Sequence, residues 1–206
     1  MNESATRTVL LEAWNEARQT EQHRGLLRQW LTRRLPSLDR SIRVPAAAPA
    51  DALMDFAESY IAQLPAYLQI TRRLLRQLGT ERVATPALRL AVAFFASRSD
   101  DGAPLSLLEL LHQAYLAHRL IEEINDYCVA RYGGPLLPAQ MLDANLVCHN
   151  LIGEPLANEL DGMVVQVAER WLAGRPLARV RRTVRADWPQ PPTSVSLAWP
   201  RSTTLR

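Results

Sequence analysis

The residues best placed to do chemistry lie on one predicted helix, residues 107–132. Stepping about 100° per residue places His118 and Asn125 at the centre of its apolar stripe, with Glu122 on the flank between them. A polar group buried without a partner costs about 1–3 kcal/mol, so each of these side chains needs a polar neighbour. His118 and Glu122 are four residues apart and can meet on one face of the helix.

Two later predicted helices offer such neighbours. Asn145 and His149 lie four apart beside one apolar stripe, and Glu159 lies at the edge of another. If the three helices pack together, six polar side chains converge: His118, Glu122, Asn125, Asn145, His149 and Glu159. The favoured interpretation is a buried hydrogen-bond network that fixes helix register, and the alternative is a functional pocket.

In the pocket alternative, the two histidines would be metal ligands or an acid and a base. Imidazole and carboxylate ligands without thiolate suit zinc, manganese or iron, so this alternative predicts a divalent metal at His118, Glu122 and His149. The sequence itself names no cofactor. Its 24 basic residues are all arginine, which excludes lysine Schiff-base and P-loop lysine chemistry. A single Glu109-x-x-His112 lacks the second copy that a di-iron bundle needs, and we assign it to a solvated polar sector together with Arg119 and Glu123.

The elements that must position these groups are helical. Caps, prolines and glycines bound predicted helices over residues 5–34, 51–78, 85–97, 107–132, 138–152 and 155–173, and Pro65 splits or kinks the second. Asp51 and Thr85 are the expected caps of their helices, and Ser106 with Glu109 forms a capping box. The predicted fold is an all-α orthogonal or up-down bundle of six to seven helices. Cys128 and Cys148 are expected in its core as free thiols.

The last part of the chain differs from this bundle. Residues 1–174 form the predicted helical domain, whereas residues 175–206 carry seven arginines, one acidic residue and five prolines, which predicts a basic arm, extended or disordered. Six side chains of the arm are candidates for binding a partner: Arg179, Arg181, Arg182, Arg185, Trp188 and Trp199. Nucleic acid is disfavoured as that partner because nothing resembles a helix-turn-helix or an RNA-binding module.

These observations favour a non-catalytic helical scaffold or regulatory protein that binds another macromolecule. That macromolecule would be a partner protein or a second copy of this chain in a homo-oligomer. The alternative is a metal- or small-molecule-binding helical protein, or an enzyme, with its pocket around His118 and His149. The N-terminus lacks the basic start and apolar run of a signal peptide, and no apolar run is long enough to span a membrane, so we expect a cytoplasmic protein.

Overall fold

A computed structural model describes residues 3–99, 102–172 and 204–205 of the chain. Within these ranges the fold has seven α-helices: α1 (Glu3–Arg24), α2 (Leu26–Arg34), α3 (Pro49–Gln77), α4 (Glu81–Phe95), α5 (Leu107–Tyr132), α6 (Ala139–Ile152) and α7 (Leu156–Leu172). A 3-10 turn, Leu35–Ser37, follows α2, and the short strand β1 (Ile42–Arg43) pairs antiparallel with β2 (Thr204–Leu205). The predicted all-α bundle is confirmed. None of the described helices has the length and apolar character needed to cross a membrane.

Helix α5 is the centre of the bundle and contacts each of the other six helices. Its start is the predicted capping box, in which the Glu109 amide donates to Ser106 Oγ at 3.2 Å and the Ser106 amide donates to Glu109 Oε2 at 2.7 Å. Its end is Gly133, whose φ of 86° lies in the left-handed region that glycine adopts without strain. The predicted bounds of this helix and its burial on most sides are confirmed.

The prediction of one helix over residues 5–34 is wrong, because the chain breaks at Gly25 into α1 and α2. Gly25 has a φ of 60°, which interrupts the helix at little cost for a residue without a Cβ. The carboxylate of Glu21 then accepts hydrogen bonds from the amides of Leu27 and Arg28, both at 3.0 Å. These bonds satisfy two of the free amides at the start of α2.

Two predicted helix starts are also wrong. Asp51 is not a cap: it lies in the first turn of α3, whose capping position is Ala48, and pairs with Arg28 at 2.7 Å. Helix α4 begins four residues before Thr85, at Glu81, whose carboxylate bonds to Arg72 and Arg76 of α3. These ion pairs fix the first turn of α4 against α3, so the helix starts early and Pro86 lies inside it. Helix α3 is continuous through Pro65.

The C-terminal end of α6 is bound to α2. The Arg34 guanidinium donates to the Asn150 carbonyl at 3.0 Å, and the Trp30 indole donates to the Leu151 carbonyl at 3.3 Å. Gly153 ends α6 as predicted, and a Cβ at that position would overlap the Arg34 guanidinium. Cys128 and Cys148 are both buried and free, as predicted. The predicted arm residues that could bind a partner all lie outside the described ranges.

Candidate functional site

A polar network joins α5, α6 and α7 and reaches α3. Its members come from four helices and are linked by hydrogen bonds and ion pairs: Tyr60, Tyr115, Arg119, Glu122, Glu123, Asn145, His149 and Asp161. We call this set the α5–α7 network. Its charged side chains keep only about a fifth to a quarter of their surface exposed, so they interact in a partly dehydrated environment.

Asp161 on α7 connects the three helices. Its Oδ1 accepts hydrogen bonds from the Tyr115 hydroxyl at 2.8 Å and from Arg119 Nε at 3.0 Å. Its Oδ2 lies 3.0 Å from Nδ1 of His149, which is also 3.0 Å from the Tyr115 hydroxyl oxygen. Burial and the bond to Asp161 raise the pKa of Tyr115, so the phenol stays protonated and serves as a donor.

Glu122 carries the network from the surface to the core. It forms an ion pair with Arg119 and accepts from Asn145 Nδ2 at 2.6 Å, and Asn145 Oδ1 in turn accepts from the Tyr60 hydroxyl at 2.8 Å. Tyr60 and Asn145 are both buried. Burial, with a smaller contribution from the nearby carboxylate of Glu122, raises the pKa of Tyr60 well above its usual value. The chain of bonds therefore ends on a neutral phenol in the core.

Negative charge exceeds positive charge in and beside the network. Among the described residues, Arg119 is the arginine that pairs with the carboxylates of Glu122, Glu123 and Asp161, and the carboxylate of Asp126 lies beside them. Burial opposes the charge of Arg119, but Glu122 and Asp161 overcome that effect and raise its pKa. Burial raises the pKa of Glu123; Arg119 opposes this, but Asp126, Glu122 and Asp161 add to the rise. One guanidinium thus offsets only part of the charge.

His118 lies in a different environment, at the interface of α3 and α5. Its Nε2 is 3.0 Å from the Tyr60 carbonyl oxygen, and its ring lies 4.3 Å from the Tyr60 ring and 5.6 Å from the Tyr67 ring. Burial lowers the pKa of His118 to about 4, although the bond to the carbonyl opposes this shift. His118 is therefore a neutral core side chain, and its Nδ1 is buried with no hydrogen-bond partner among the described residues.

The remaining predicted site residues lie apart from the network. Asn125 Oδ1 accepts from the backbone amides of Leu136 and Leu137, at 2.8 and 3.1 Å, and so holds the loop between α5 and α6. Glu159 is exposed on α7. The structure thus brings together Glu122, Asn145 and His149 of the six predicted residues. His118 contacts Tyr60, whose hydroxyl bonds to Asn145 of this group.

The sequence reasoning missed Asp161, Arg119, Tyr115 and Tyr60. Asp161 had a usable signal, because it lies four residues after Ala157 and three before Val164, both buried on the α7 stripe. The assignment of Arg119, Glu123 and His112 to a solvated sector is wrong. Arg119 and Glu123 are mostly buried where α7 supplies Asp161, and a single-helix projection contains no information about that neighbour. His112 is also largely buried, and its burial lowers its pKa. Glu109 of the same sector is exposed, as expected.

The geometry gives the metal prediction no support. Among the described residues, no three His, Cys, Asp or Glu side chains lie close enough together to hold a metal ion. His118 has its Nε2 engaged by a backbone carbonyl, while His149 is bonded to Asp161 and Tyr115. Comparison with known proteins adds no further assignment: no protein-family model, curated protein or solved structure matches this chain significantly.

Proposed function

We propose that this protein is a non-catalytic cytoplasmic scaffold or regulatory protein that binds a basic segment of a partner protein on the face formed by α5, α6 and α7. The observation that carries the proposal is the charge imbalance of the α5–α7 network. Glu123, with its raised pKa, is held beside three other carboxylates and 3.7 Å from Arg119. An arriving guanidinium or ammonium group would stabilise the ionised form of Glu123 and gain a partly buried ion pair.

Exposed aliphatic side chains next to the network support a protein partner. Leu146 follows Asn145 directly and is 62% exposed, and Val165 lies one turn after Asp161 and is 42% exposed. Interfaces between proteins combine such apolar contacts with charged residues at the rim. The proposed partner segment therefore carries both arginine or lysine and aliphatic residues.

The bonding within the network favours binding over catalysis. Tyr115, Arg119 and Asp161 direct their polar atoms at one another or at neighbouring network members. A network whose members satisfy one another fixes the register of the helices and stiffens the surface that it underlies. Such a surface is suited to present charge at fixed positions to a partner.

The test uses the full chain and a fluorescent peptide with the sequence of residues 175–192, which supplies five arginines and one acidic residue. We expect fluorescence anisotropy to show binding at about 50 mM salt that weakens markedly at about 300 mM, because salt screens the charges. Glu123→Gln should weaken binding about fivefold. Asp55→Asn, which removes one charge from an exposed position on α3, should not.

Two results would contradict the proposal. One is a wild-type protein that does not bind the peptide at low salt. The other is an equal loss of affinity in the Glu123 and Asp55 variants, which would indicate unspecific attraction to the overall charge of the protein. Leu146→Ser tests the aliphatic contribution separately and should weaken binding at both salt concentrations, since apolar contact does not depend on screening.

A further inference from the structure

A cavity of about 260 Å³ lies away from the α5–α7 network, between α1 and the two ends of the connection from α4 to α5. Nine residues line it: Val9, Glu12, Ala13, Glu16, Ala96, Ser97, Arg98, Pro104 and Leu105. At roughly 30 Å³ for each water-sized group, this volume takes about eight or nine non-hydrogen atoms. It is therefore large enough for a small molecule of about that size.

The floor of the cavity is apolar. Val9 and Ala13 lie one turn apart on α1 and face Ala96, Pro104 and Leu105 across the space. The two alanines leave room that larger side chains would fill. Val9 remains 42% exposed, so a bound hydrocarbon chain would remove additional apolar surface from water.

The polar part of the lining is anionic. Glu12 and Glu16 lie one turn apart on α1, and Arg98 pairs with Glu16 at 3.7 Å. Arg98 thereby neutralises Glu16. Glu12 is exposed, and its carboxylate has no ion pair or hydrogen bond with another described residue, so one solvated negative charge remains beside the apolar floor.

We propose that this cavity binds a small aliphatic amine, with its ammonium group at Glu12 and its hydrocarbon chain against Val9, Ala13 and Leu105. By the same packing measure, the volume limits the chain to about seven or eight carbons. A carboxylate ligand is disfavoured, because Glu12 would repel it while Arg98 is already paired with Glu16. This inference is independent of the proposed binding of a basic protein segment.

The probes are three molecules of matched length: n-hexylamine, n-hexanol and hexanoate. In ligand-observed NMR titrations of the full chain, we expect hexylamine to bind with a Kd on the order of 1 mM. Hexanol should bind at least fivefold more weakly, and hexanoate should show no binding. Failure of the wild-type protein to bind hexylamine, or equal binding of all three probes, would overturn the proposal.

Two variants separate the contribution of the Glu12 charge from that of the cavity volume. Glu12→Gln should reduce the affinity for hexylamine at least fivefold, to that of hexanol, whereas Asp55→Asn on α3 should leave it unchanged. Ala13→Leu fills the cavity and should abolish the binding of hexylamine and hexanol alike. Thermal melting confirms that each variant is folded, and if Ala13→Leu does not fold, Ala96→Leu replaces it. Undiminished hexylamine affinity in the Glu12 variant would reject the assigned ammonium site.

Discussion

Two histidines that sequence reasoning assigned to one site lie in contrasting environments. His118 is fully enclosed at the interface of α3 and α5, where the Tyr60 carbonyl and two tyrosine rings surround it. His149 belongs to the α5–α7 network, keeps about a quarter of its side chain exposed and is bonded to Asp161 and Tyr115. In the first region the core has excluded charge. In the second, several charges share one partly dehydrated surface.

The helical periodicity of a sequence therefore predicts which side chains point into the bundle. It does not predict which groups of the neighbouring helices they contact. The interface around His118 consists of aromatic rings and a backbone carbonyl, so the imidazole stays neutral. The surface around His149 contains a carboxylate and a nearby guanidinium, so it can bind further charge. We therefore propose the α5–α7 network, and not the α3–α5 interface, as the part of the molecule available for recognition.

The largest expected effect is the loss of Arg119, the cation of the α5–α7 network. Arg119→Met should lower the free energy of unfolding by about 3 kcal/mol, because Glu122 and Asp161 would then be left dehydrated without a counter-charge. The matched control is Arg28→Met, which breaks an ion pair with Asp51 between side chains that are more than half exposed. That change should cost less than about 1 kcal/mol. Urea denaturation measures the loss of unfolding free energy in both variants. Similar losses would show that the α5–α7 network contributes no more to stability than an exposed ion pair does.

Burial of His118 at the α3–α5 interface should make the free energy of unfolding depend on pH. Above pH 6.5, His118 is neutral in both the folded and the unfolded chain and contributes no pH dependence. As the pH falls below 6.5, the unfolded chain takes up a proton that the folded protein, with its pKa of about 4, does not. Stability should therefore fall by about 2 kcal/mol between pH 7 and pH 5 through this residue alone.

His118→Phe should remove this contribution, whereas His23→Gln, at an exposed position on α1, should not. Chemical denaturation of the three proteins at pH 7 and pH 5 measures the difference. An unchanged pH dependence in the His118 variant would show that the imidazole is accessible to protons, contrary to its enclosed position.

The smallest effect compares two tyrosines in the same chain of bonds. Tyr115→Phe removes a hydrogen bond to the Asp161 carboxylate, and Tyr60→Phe removes one to the neutral amide of Asn145. Bonds to charged acceptors are the stronger, so we expect losses of about 2 kcal/mol for Tyr115 and about 1 kcal/mol for Tyr60. Thermal and urea unfolding should rank the variants in this order. The reverse order would place the stronger bond in the core.

The fold could be predicted where its determinants are local. The capping box of α5, Gly133 and Gly153 act over a few residues, and the corresponding helix ends were correct. The break at Gly25 was missed because a single glycine is compatible with a continuous helix. The break is stabilised by the carboxylate of Glu21, which caps α2. This contact exists only after the chain has turned at Gly25, so the sequence pattern does not predict it.

The site was only partly predictable for a related reason. Glu122, Asn145 and His149 stood out because polar residues interrupt apolar stripes. Asp161 and Arg119 did not, since charged residues at the edge of a stripe are typical of solvated helix surfaces. Whether Arg119 and Asp161 are exposed depends on how α7 packs against α5. A projection of one helix contains no information about that packing.

The central position of α5 has a consequence for the newly made chain. Each of the other described helices packs against α5, yet α5 begins 104 residues after the start of α1. At the usual rate of roughly 5–20 residues per second, about 5–20 s pass between the synthesis of the start of α1 and that of the start of α5, so α1 is made well before a helix that it contacts in the folded protein. Until then, the apolar surface of α1 to α4 that α5 covers in the folded protein is exposed to solvent and to chaperones. The amino-terminal half should therefore remain sensitive to protease on stalled ribosomes until α5 has emerged, and become resistant cooperatively thereafter.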